Sequence, residues 1–165
     1  MDPSNDRSSD RNARRKLTLM SLNCEGFARN DCYVKQLLND DAPDFLCLQE
    51  TWLLDGNLHV LDKVNNGYMS IAKSGVDNVR QVITGRPYGG VAIVFKKSLC
   101  NYANAVKFES SRVCGMTVKM FSRVLLLINV YLPVDLQSSH AIHAEYEQAL
   151  GEIEGFLGSS TYDDV

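Results

Sequence analysis

The chain has 165 residues, of which 45% are hydrophobic and 22% charged, and its formal net charge is −3 at pH 7. This length fits one domain with a substantial core. The weakly acidic balance excludes binding to nucleic acid through overall basic charge, so any such contact needs a local patch. The longest aliphatic run, residues 124–128, is too short to span a bilayer, and we expect no membrane segment.

The amino-terminal residues 1–15 are polar and charged and lack the apolar core of a signal peptide. They predict a disordered tail, followed by a single domain over 16–165. The five cysteines are scattered, without a Cys-x-x-Cys pair, which favours neither a disulfide framework nor a zinc site. The pattern is typical of a reducing compartment, so we expect an intracellular protein, in the nucleus or cytoplasm, that is not secreted.

The first elements predict a strand, a helix and a second strand. Residues 17–22 form the first predicted strand, which ends at Asn23-Cys24-Glu25-Gly26. A helix is predicted over 31–39, with Asn30 or Asp31 as its cap. Residues 44–49 carry apolar side chains for both faces of a strand, which is typical of a strand buried on both sides.

Strand patterns dominate the middle of the chain. We expect further strands over residues 67–72, 91–95, 112–120 and 123–130, with one or two more within 99–108. The last two long strands predict a hairpin that turns at 121–122. Residues 53–66 and 74–88 read as irregular connections. Gly89-Gly90 opens one strand and indicates a bulge or close backbone packing there.

A final helix is predicted from Ser138 or Ser139 to about residue 157. Its apolar side chains, up to Leu157, recur on one face, while Glu145, Glu147 and Glu152 fall elsewhere. His140 and His143 do not have the spacing of helical zinc ligands and are expected to be solvated.

Glu50 is the first candidate functional residue, because it follows the buried strand directly. A carboxylate at such a strand end is rigidly supported and suits a hard cation such as Mg²⁺, which is often held by only one or two carboxylates. The alternative is that Glu50 is simply the first solvated residue after a core strand.

Four strand-end motifs occur in a fixed order along the chain. They are Asn23-x-x-Gly26, Gln49-Glu50-Thr51, Gly89-Gly90-Val91-Ala92-Ile93 and Asn129-Val130-Tyr131-Leu132-Pro133. Together they resemble the endonuclease/exonuclease/phosphatase superfamily over about residues 17–157. Within it, the run from Leu46 to Trp52 is most similar to the apurinic-type endonuclease domain of non-LTR (LINE-like) retrotransposons.

The resemblance implies an α+β fold, a DNase I-like four-layer sandwich of two β-sheets flanked by helices. It implies that Glu50 is the carboxylate ligand of a catalytic Mg²⁺, with Mn²⁺ as an alternative metal. Asn23 would help to arrange the metal and the scissile phosphate, and the hydroxyl of Tyr131 would face that phosphate. Gln49 and Thr51 would support them. The implied chemistry is metal-assisted attack of water on a DNA phosphodiester, without a membrane partner.

The sequence departs from the family pattern in two ways. Glu25 adds negative charge where many relatives have a basic or amide residue. The family continues with Gly-Asp-x-Asn, a later Asp and Ser-Asp-His, none of which occurs here, and Asp163 and Asp164 lack that context. We therefore expect a domain incomplete at its C-terminus, inactive by itself, with apolar surface exposed around 91–95 and 124–130.

Two other functions fit the same motifs. One is a phosphatase or sphingomyelinase-type phosphoesterase of the same superfamily, which Gln49-Glu50-Thr51 does not exclude. The other is a non-catalytic protein that keeps the fold for binding.

Overall fold

A computed structural model describes residues 16–76, 88–120, 122–133 and 140–159. The expected tail at 1–15, the helix cap at Ser138 or Ser139, and the pair Asp163 and Asp164 lie outside the described residues. So do residues 77–87 of the 74–88 connection and Phe121 of the hairpin turn. Neither described α-helix combines the length and the apolar character needed to cross a membrane.

The described residues form two β-sheets with helices beside them. The strands are β1 (Leu19–Asn23), β2 (Phe45–Gln49), β3 (Tyr68–Lys73), β4 (Val91–Lys96), β5 (Ala103–Val106), β6 (Val113–Met120) and β7 (Arg123–Val130). The helices are α1 (Phe27–Asp40), α2 (His140–Ser159) and two 3₁₀ helices, Asp55–Lys63 and Lys97–Tyr102. The first sheet has the order β1-β2-β4-β3 and the second the order β5-β6-β7. The expected α+β two-sheet fold is confirmed.

The pairing follows the sequence pattern. β1 and β2 are parallel, as a strand–helix–strand unit requires, and β4 is antiparallel to both β2 and β3. β6 and β7 form the predicted hairpin, with Met120 opposite Arg123 at the turn and Val113 opposite Val130 at the far end.

The two central strands of the first sheet are buried on both faces. One face, with Leu46, Leu48 and Val94, packs against α1 and the first 3₁₀ helix, and the other packs against the second sheet. This confirms the doubly buried strand predicted over 44–49. It also corrects the exposed surface expected around 91–95, because Val91 to Phe95 are all buried.

The second sheet is less covered. Most residues of β7 are half-buried, so the surface expected at 124–130 is partly present. Behind this sheet, α2 packs through Ala149, Ile153 and Phe156, and the Phe156 ring lies 5.5 Å from the ring of Phe108. The predicted contact residue Leu157 is instead exposed.

Three element bounds differ from the predictions. α1 begins at Phe27 rather than Asp31, because Gly26, with φ of 98°, starts it, and Asn30 is a kink rather than a cap. The Asn30 side chain donates to the carbonyl of Cys24 at 2.7 Å. Residues 55–63 form a 3₁₀ helix within the connection expected over 53–66. Residues 97–102 form another, which overlaps the start of the 99–108 region, and the strand expected in that region is β5.

Two glutamates that the sequence analysis placed away from the apolar face of α2 bind a loop before β6. The carboxylate of Glu152 accepts hydrogen bonds from the backbone amides of Glu109 (2.7 Å) and Ser110 (2.9 Å). Glu145 accepts from Arg112. From the first sheet, Lys73 donates to the carbonyls of Phe108 and Ser110. The loop over 107–112 is therefore held between β3 and α2, whereas Glu147 lies beside His143.

Candidate active site

Three chain segments meet at one edge of the first sheet. Because β1 and β2 are parallel, with Asn23 opposite Gln49, both strands end at this edge. β4 runs antiparallel to β2, with Val91 opposite Gln49, so it begins there. The residues that follow β1 and β2 and those that precede β4 therefore share one region.

Backbone hydrogen bonds join these segments. The amide of Cys24 donates to the carbonyl of Gln49 (2.9 Å), and the amide of Gly26 donates to the carbonyl of Glu50 (2.8 Å). The amide of Trp52 donates to the carbonyl of Gly89 at 3.0 Å. These main-chain bonds hold the loops together, and side chains such as Asn30, which donates to the carbonyl of Cys24, add to them.

The same loops have unusual backbone conformations. Among the described residues, four non-glycine residues have positive φ, and three of them lie here: Glu25 (42°), Glu50 (53°) and Trp52 (54°). Such conformations are uncommon for residues with a Cβ and cluster at functional sites. The backbone bonds between the loops hold them in place.

The paired glycines allow close packing, as the sequence predicted. A Cβ on Gly90, whose φ is 86°, would lie 2.4 Å from the hydroxyl oxygen of Thr51. Thr51 itself is 1% exposed, and its hydroxyl has no hydrogen-bond partner among the described residues. Thr51 thus lies beneath the site rather than in it, where it supports the turn after Glu50.

Glu50, Asn23 and Tyr131 converge. The Asn23 side-chain amide and the Tyr131 hydroxyl each donate to the same oxygen, Oε1 of Glu50, and both distances are 2.6 Å. Asn23 and Tyr131 are 27 and 81 residues from Glu50 in sequence. The structure therefore brings together the three side chains to which the resemblance assigned one site.

The bond to Glu50 changes the chemistry of Tyr131. Its hydrogen bond to the Glu50 carboxylate, with a smaller contribution from burial, raises the pKa of Tyr131 to about 12. The neighbouring charge of Glu25 raises the pKa further, while Arg112 opposes this. Tyr131 therefore keeps its proton at neutral pH and acts as a hydrogen-bond donor.

Gln49 supports the site through a residue whose role the sequence analysis missed. The Gln49 amide donates to Oδ1 of Asn129 at 2.6 Å, and the Asn129 amide donates to the carbonyls of Leu48 (2.9 Å) and Ala92 (2.8 Å). Asn129 is 3% exposed. It joins β7 to β2 and β4 two residues before Tyr131. The available signal was an amide at an inward-facing position of an otherwise apolar strand.

Arg112 is a second residue without a sequence prediction. It is 8% exposed, and its Nε and Nη2 donate to Oε2 of Glu145 at 3.1 and 2.8 Å. Its carbonyl accepts from the amide of Tyr131 at 3.0 Å, which ties it to the end of β7. A lone arginine before a strand gave no signal, because its ion pair lies on an element 33 residues away.

A cavity of about 400 Å³ lies over these residues. Its walls are formed by Glu50, Trp52, Tyr88, Gly89, Arg112, Tyr131 and Pro133. Glu50 makes one wall of the cavity acidic, and the buried guanidinium of Arg112 makes another wall basic. The cavity therefore suits a ligand that combines a cation with an anion better than it suits either ion alone.

The donor set fits a hard cation held by few protein ligands. Within the described residues, no group of three or more His, Cys, Asp and Glu side chains could hold a metal. Mg²⁺ needs no such cage, since it keeps several waters and binds through one or two carboxylates together with substrate phosphates. Glu50 supplies one carboxylate. Asn23 supplies an amide oxygen, which here accepts from the backbone amide of Glu25 at 3.2 Å.

The chain is similar to known proteins in sequence and in structure. A model of the Endonuclease/Exonuclease/phosphatase family matches residues 20–156. No curated protein sequence matches the chain. Among solved structures, an AP endonuclease from Archaeoglobus fulgidus is similar, with a TM-score of 0.61 and 18% identity over 88% of this chain and 52% of that one.

Two further structures show the same likeness. The 3′ phosphatase NExo from Neisseria, bound to product DNA hairpin, has a TM-score of 0.58 and 22% identity over 86% of this chain and 51% of its own. The AP endonuclease LMAP from Leishmania major has a TM-score of 0.62 and 17% identity over 86% and 47%. This chain thus spans about half the length of these proteins. The matches confirm the DNase I-like fold.

Proposed function

The chain belongs to the endonuclease/exonuclease/phosphatase family, and on that premise we propose that it is a divalent-metal-dependent phosphodiesterase domain that acts on DNA. One observation carries the proposal. Asn23 and Tyr131, from two different sheets, donate to one oxygen of Glu50 at the edge of a cavity that also contains Arg112. A purely structural glutamate would not need two sheets to converge on it.

DNA is the substrate class that the similarities support. The Neisseria protein is a phosphatase bound to product DNA hairpin, and the other two are AP endonucleases. The run from Leu46 to Trp52, with its aromatic residue beside the cavity, supports the nuclease branch over the phosphatase or sphingomyelinase-type branch.

Each residue of the site would have a separate role in the reaction. Glu50 would hold the metal, with Asn23 fixing the orientation of its carboxylate and contributing an amide oxygen. A bound Mg²⁺ or Mn²⁺ would offset the negative charge that develops on the phosphate. Tyr131, protonated at neutral pH, can donate to a phosphate oxygen, and the guanidinium of Arg112 faces the same cavity. Without substrate, the Tyr131 hydroxyl donates to Glu50, so it must turn from the carboxylate to the phosphate when substrate binds.

Three finer points belong to the same proposal. The similarity of the 46–52 run supports an origin in a non-LTR retrotransposon, which an in-frame reverse-transcriptase segment in the genome would test. We expect the 165 residues alone to be inactive, because the described site offers one carboxylate and no general base. The five cysteines are free thiols, which suits a reducing, intracellular compartment.

Mn²⁺ binding tests the proposal without requiring turnover. Free Mn²⁺ is measured by electron paramagnetic resonance for the wild type, for Glu50→Gln and for Glu154→Gln, an exposed residue of α2 that serves as the control. Loss of the ligand should weaken binding by about 10–100-fold or more, by analogy with changes to residues around metal ligands. Glu154→Gln should bind as the wild type does. Equal binding by Glu50→Gln would overturn the proposed role of Glu50, and plasmid nicking unaffected by EDTA would overturn metal dependence.

A further inference from the structure

Two aromatic side chains line the cavity beside Glu50. Trp52 is the only tryptophan in the chain and is half-buried. Tyr88 is 54% exposed, and among the large exposed hydrophobic residues of the described chain it is the one at the cavity. A tryptophan and a tyrosine beside a phosphate-binding site are not explained by the hydrolysis of a phosphodiester.

Trp52 is fixed in position by the backbone around it. Its left-handed conformation, with φ of 54°, is held by the hydrogen bond from its amide to the carbonyl of Gly89. Its six-membered ring lies against Gly26, where an added Cβ would be 2.3 Å from Cε3. The indole therefore loses little conformational freedom when a ligand binds, which favours affinity.

The strained backbone would be unnecessary if Trp52 only filled space. A tryptophan that serves the core can adopt an ordinary strand or helix conformation, whereas this one is directed by a left-handed turn to the wall of an open cavity. Strain of this kind is typical of residues that act on a ligand.

The ligand chemistry that matches is a planar aromatic group next to a phosphate. Aromatic side chains stack on nucleobases, and this stacking tolerates any base because every base has a π-face. Inside a duplex both faces of each base are already covered by its neighbours, so only an unpaired or displaced base can stack on a protein ring. A cavity of about 400 Å³ is at the small end of ligand pockets and fits one nucleotide.

We propose that Trp52, with Tyr88 at the rim, forms a subsite for one unpaired nucleobase that flanks the phosphodiester held at Glu50. The inference rests on the proposed function and adds to it a preference for single-stranded or locally unpaired nucleic acid. Arg112 also lines this cavity, with its Nε and Nη2 paired to Glu145.

Intrinsic fluorescence gives a direct test, because the single tryptophan is the proposed stacking group. The full chain is titrated in Ca²⁺ with four ligands of equal phosphate number: oligo-dT, oligo-rU, a mixed-sequence DNA duplex, and a baseless deoxyribose-phosphate chain. Quenching is expected with both single strands. Their affinity should exceed that of the baseless chain by roughly 5- to 150-fold, the range of one stacked base.

Variants separate stacking from packing. In anisotropy titrations with labelled oligo-dT, Trp52→Leu should lose this preference, while Trp52→Phe, which keeps a ring, should retain part of it. Tyr88→Ala should weaken single-strand binding, and it covers the case in which Trp52→Leu fails to fold. Tyr102→Ala, an exposed tyrosine at the end of the second 3₁₀ helix, is the control and should leave binding unchanged.

The outcomes distinguish this inference from the proposed function. Equal affinity for all four ligands, without quenching, would mean that only phosphates are bound and would overturn the base subsite while leaving the phosphodiesterase in place. Binding to none of them would count against DNA as the substrate and so against both. If oligo-rU quenches the fluorescence as strongly as oligo-dT does, the subsite is supported and does not distinguish ribose from deoxyribose.

Discussion

The two sheets of this protein hold their parts of the candidate site by different means. In the first sheet, β2 and β4 are covered on both faces, and Glu50 follows β2 through a turn fixed by backbone hydrogen bonds. In the second sheet, β7 is mostly half-buried, and Tyr131 follows it. The carboxylate is therefore positioned by the main core and the tyrosine by a thinner layer.

Polar side chains compensate for the lower burial of β7. Asn129 joins β7 to the first sheet, Lys73 joins the first sheet to the 107–112 loop, and Glu145 joins that loop to α2 through Arg112. Side-chain hydrogen bonds are each worth about 1 kcal/mol net, but a broken buried one costs more. We infer that substitutions around Tyr131 can disrupt that part of the site while the first sheet stays folded.

The largest effect should come from the core of the first sheet. Leu48→Ala removes a fully buried side chain from β2 and should lower the free energy of unfolding by about 2–5 kcal/mol. Leu127→Ala, the matched change on half-buried β7, should cost less than half as much, because less surface leaves water on folding. Urea unfolding followed by circular dichroism measures both. Equal losses would mean that the second sheet is as well packed as the first.

Asn129→Ala should break the bridge between the sheets. It removes the Asn129 hydrogen bonds to the carbonyls of Leu48 and Ala92, at a cost of about 1–3 kcal/mol for each buried group that stays unsatisfied. The Gln49 amide loses Asn129 as an acceptor but keeps its hydrogen bond to Ser21. Asn104→Ala, on the exposed face of β5, is the control and should change stability by less than about 0.5 kcal/mol. A stability loss in Asn129→Ala no larger than in the control would contradict the bridging role.

The smallest effect is the pH dependence that Tyr131 contributes. Its folded pKa of about 12 lies above the ordinary value of 10, so the folded state holds this proton more tightly than the unfolded state. The contribution is complete below about pH 10 and is lost as the pH rises through 12. The stability advantage of the wild type over Tyr131→Phe should therefore shrink from about pH 10 to about pH 12. A constant advantage over that interval would contradict the hydrogen bond to Glu50.

The sequence predicted the parts of the molecule that local pattern determines. The apolar runs that became β2, β4, β6 and β7 were found nearly to the residue, because burial on both faces or alternation leaves a clear signal. The start of α1 was missed because Gly26 and the kink at Asn30 are departures that no periodicity predicts. The 3₁₀ helices carry no pattern of their own, so neither was predicted.

The residues of the candidate site were also predicted only in part. Asn23, Glu50 and Tyr131 were identified through motifs at strand ends, and the structure brings them together. Asn129 and Arg112 were missed as contributors, since their roles depend on partners in other elements that only the assembled sheets bring near. The contacts of Glu145 and Glu152 were not predicted for the same reason.

The left-handed turns around the cavity bear on how this sequence could be redesigned. A residue with a Cβ in that conformation costs roughly 1–2 kcal/mol relative to a relaxed one, and Glu25, Glu50 and Trp52 each adopt it. An algorithm that optimised foldability alone would write glycine at all three positions. It would return a sturdier protein without the carboxylate or the indole, so consensus or stability-guided engineering of this chain should leave those three positions untouched.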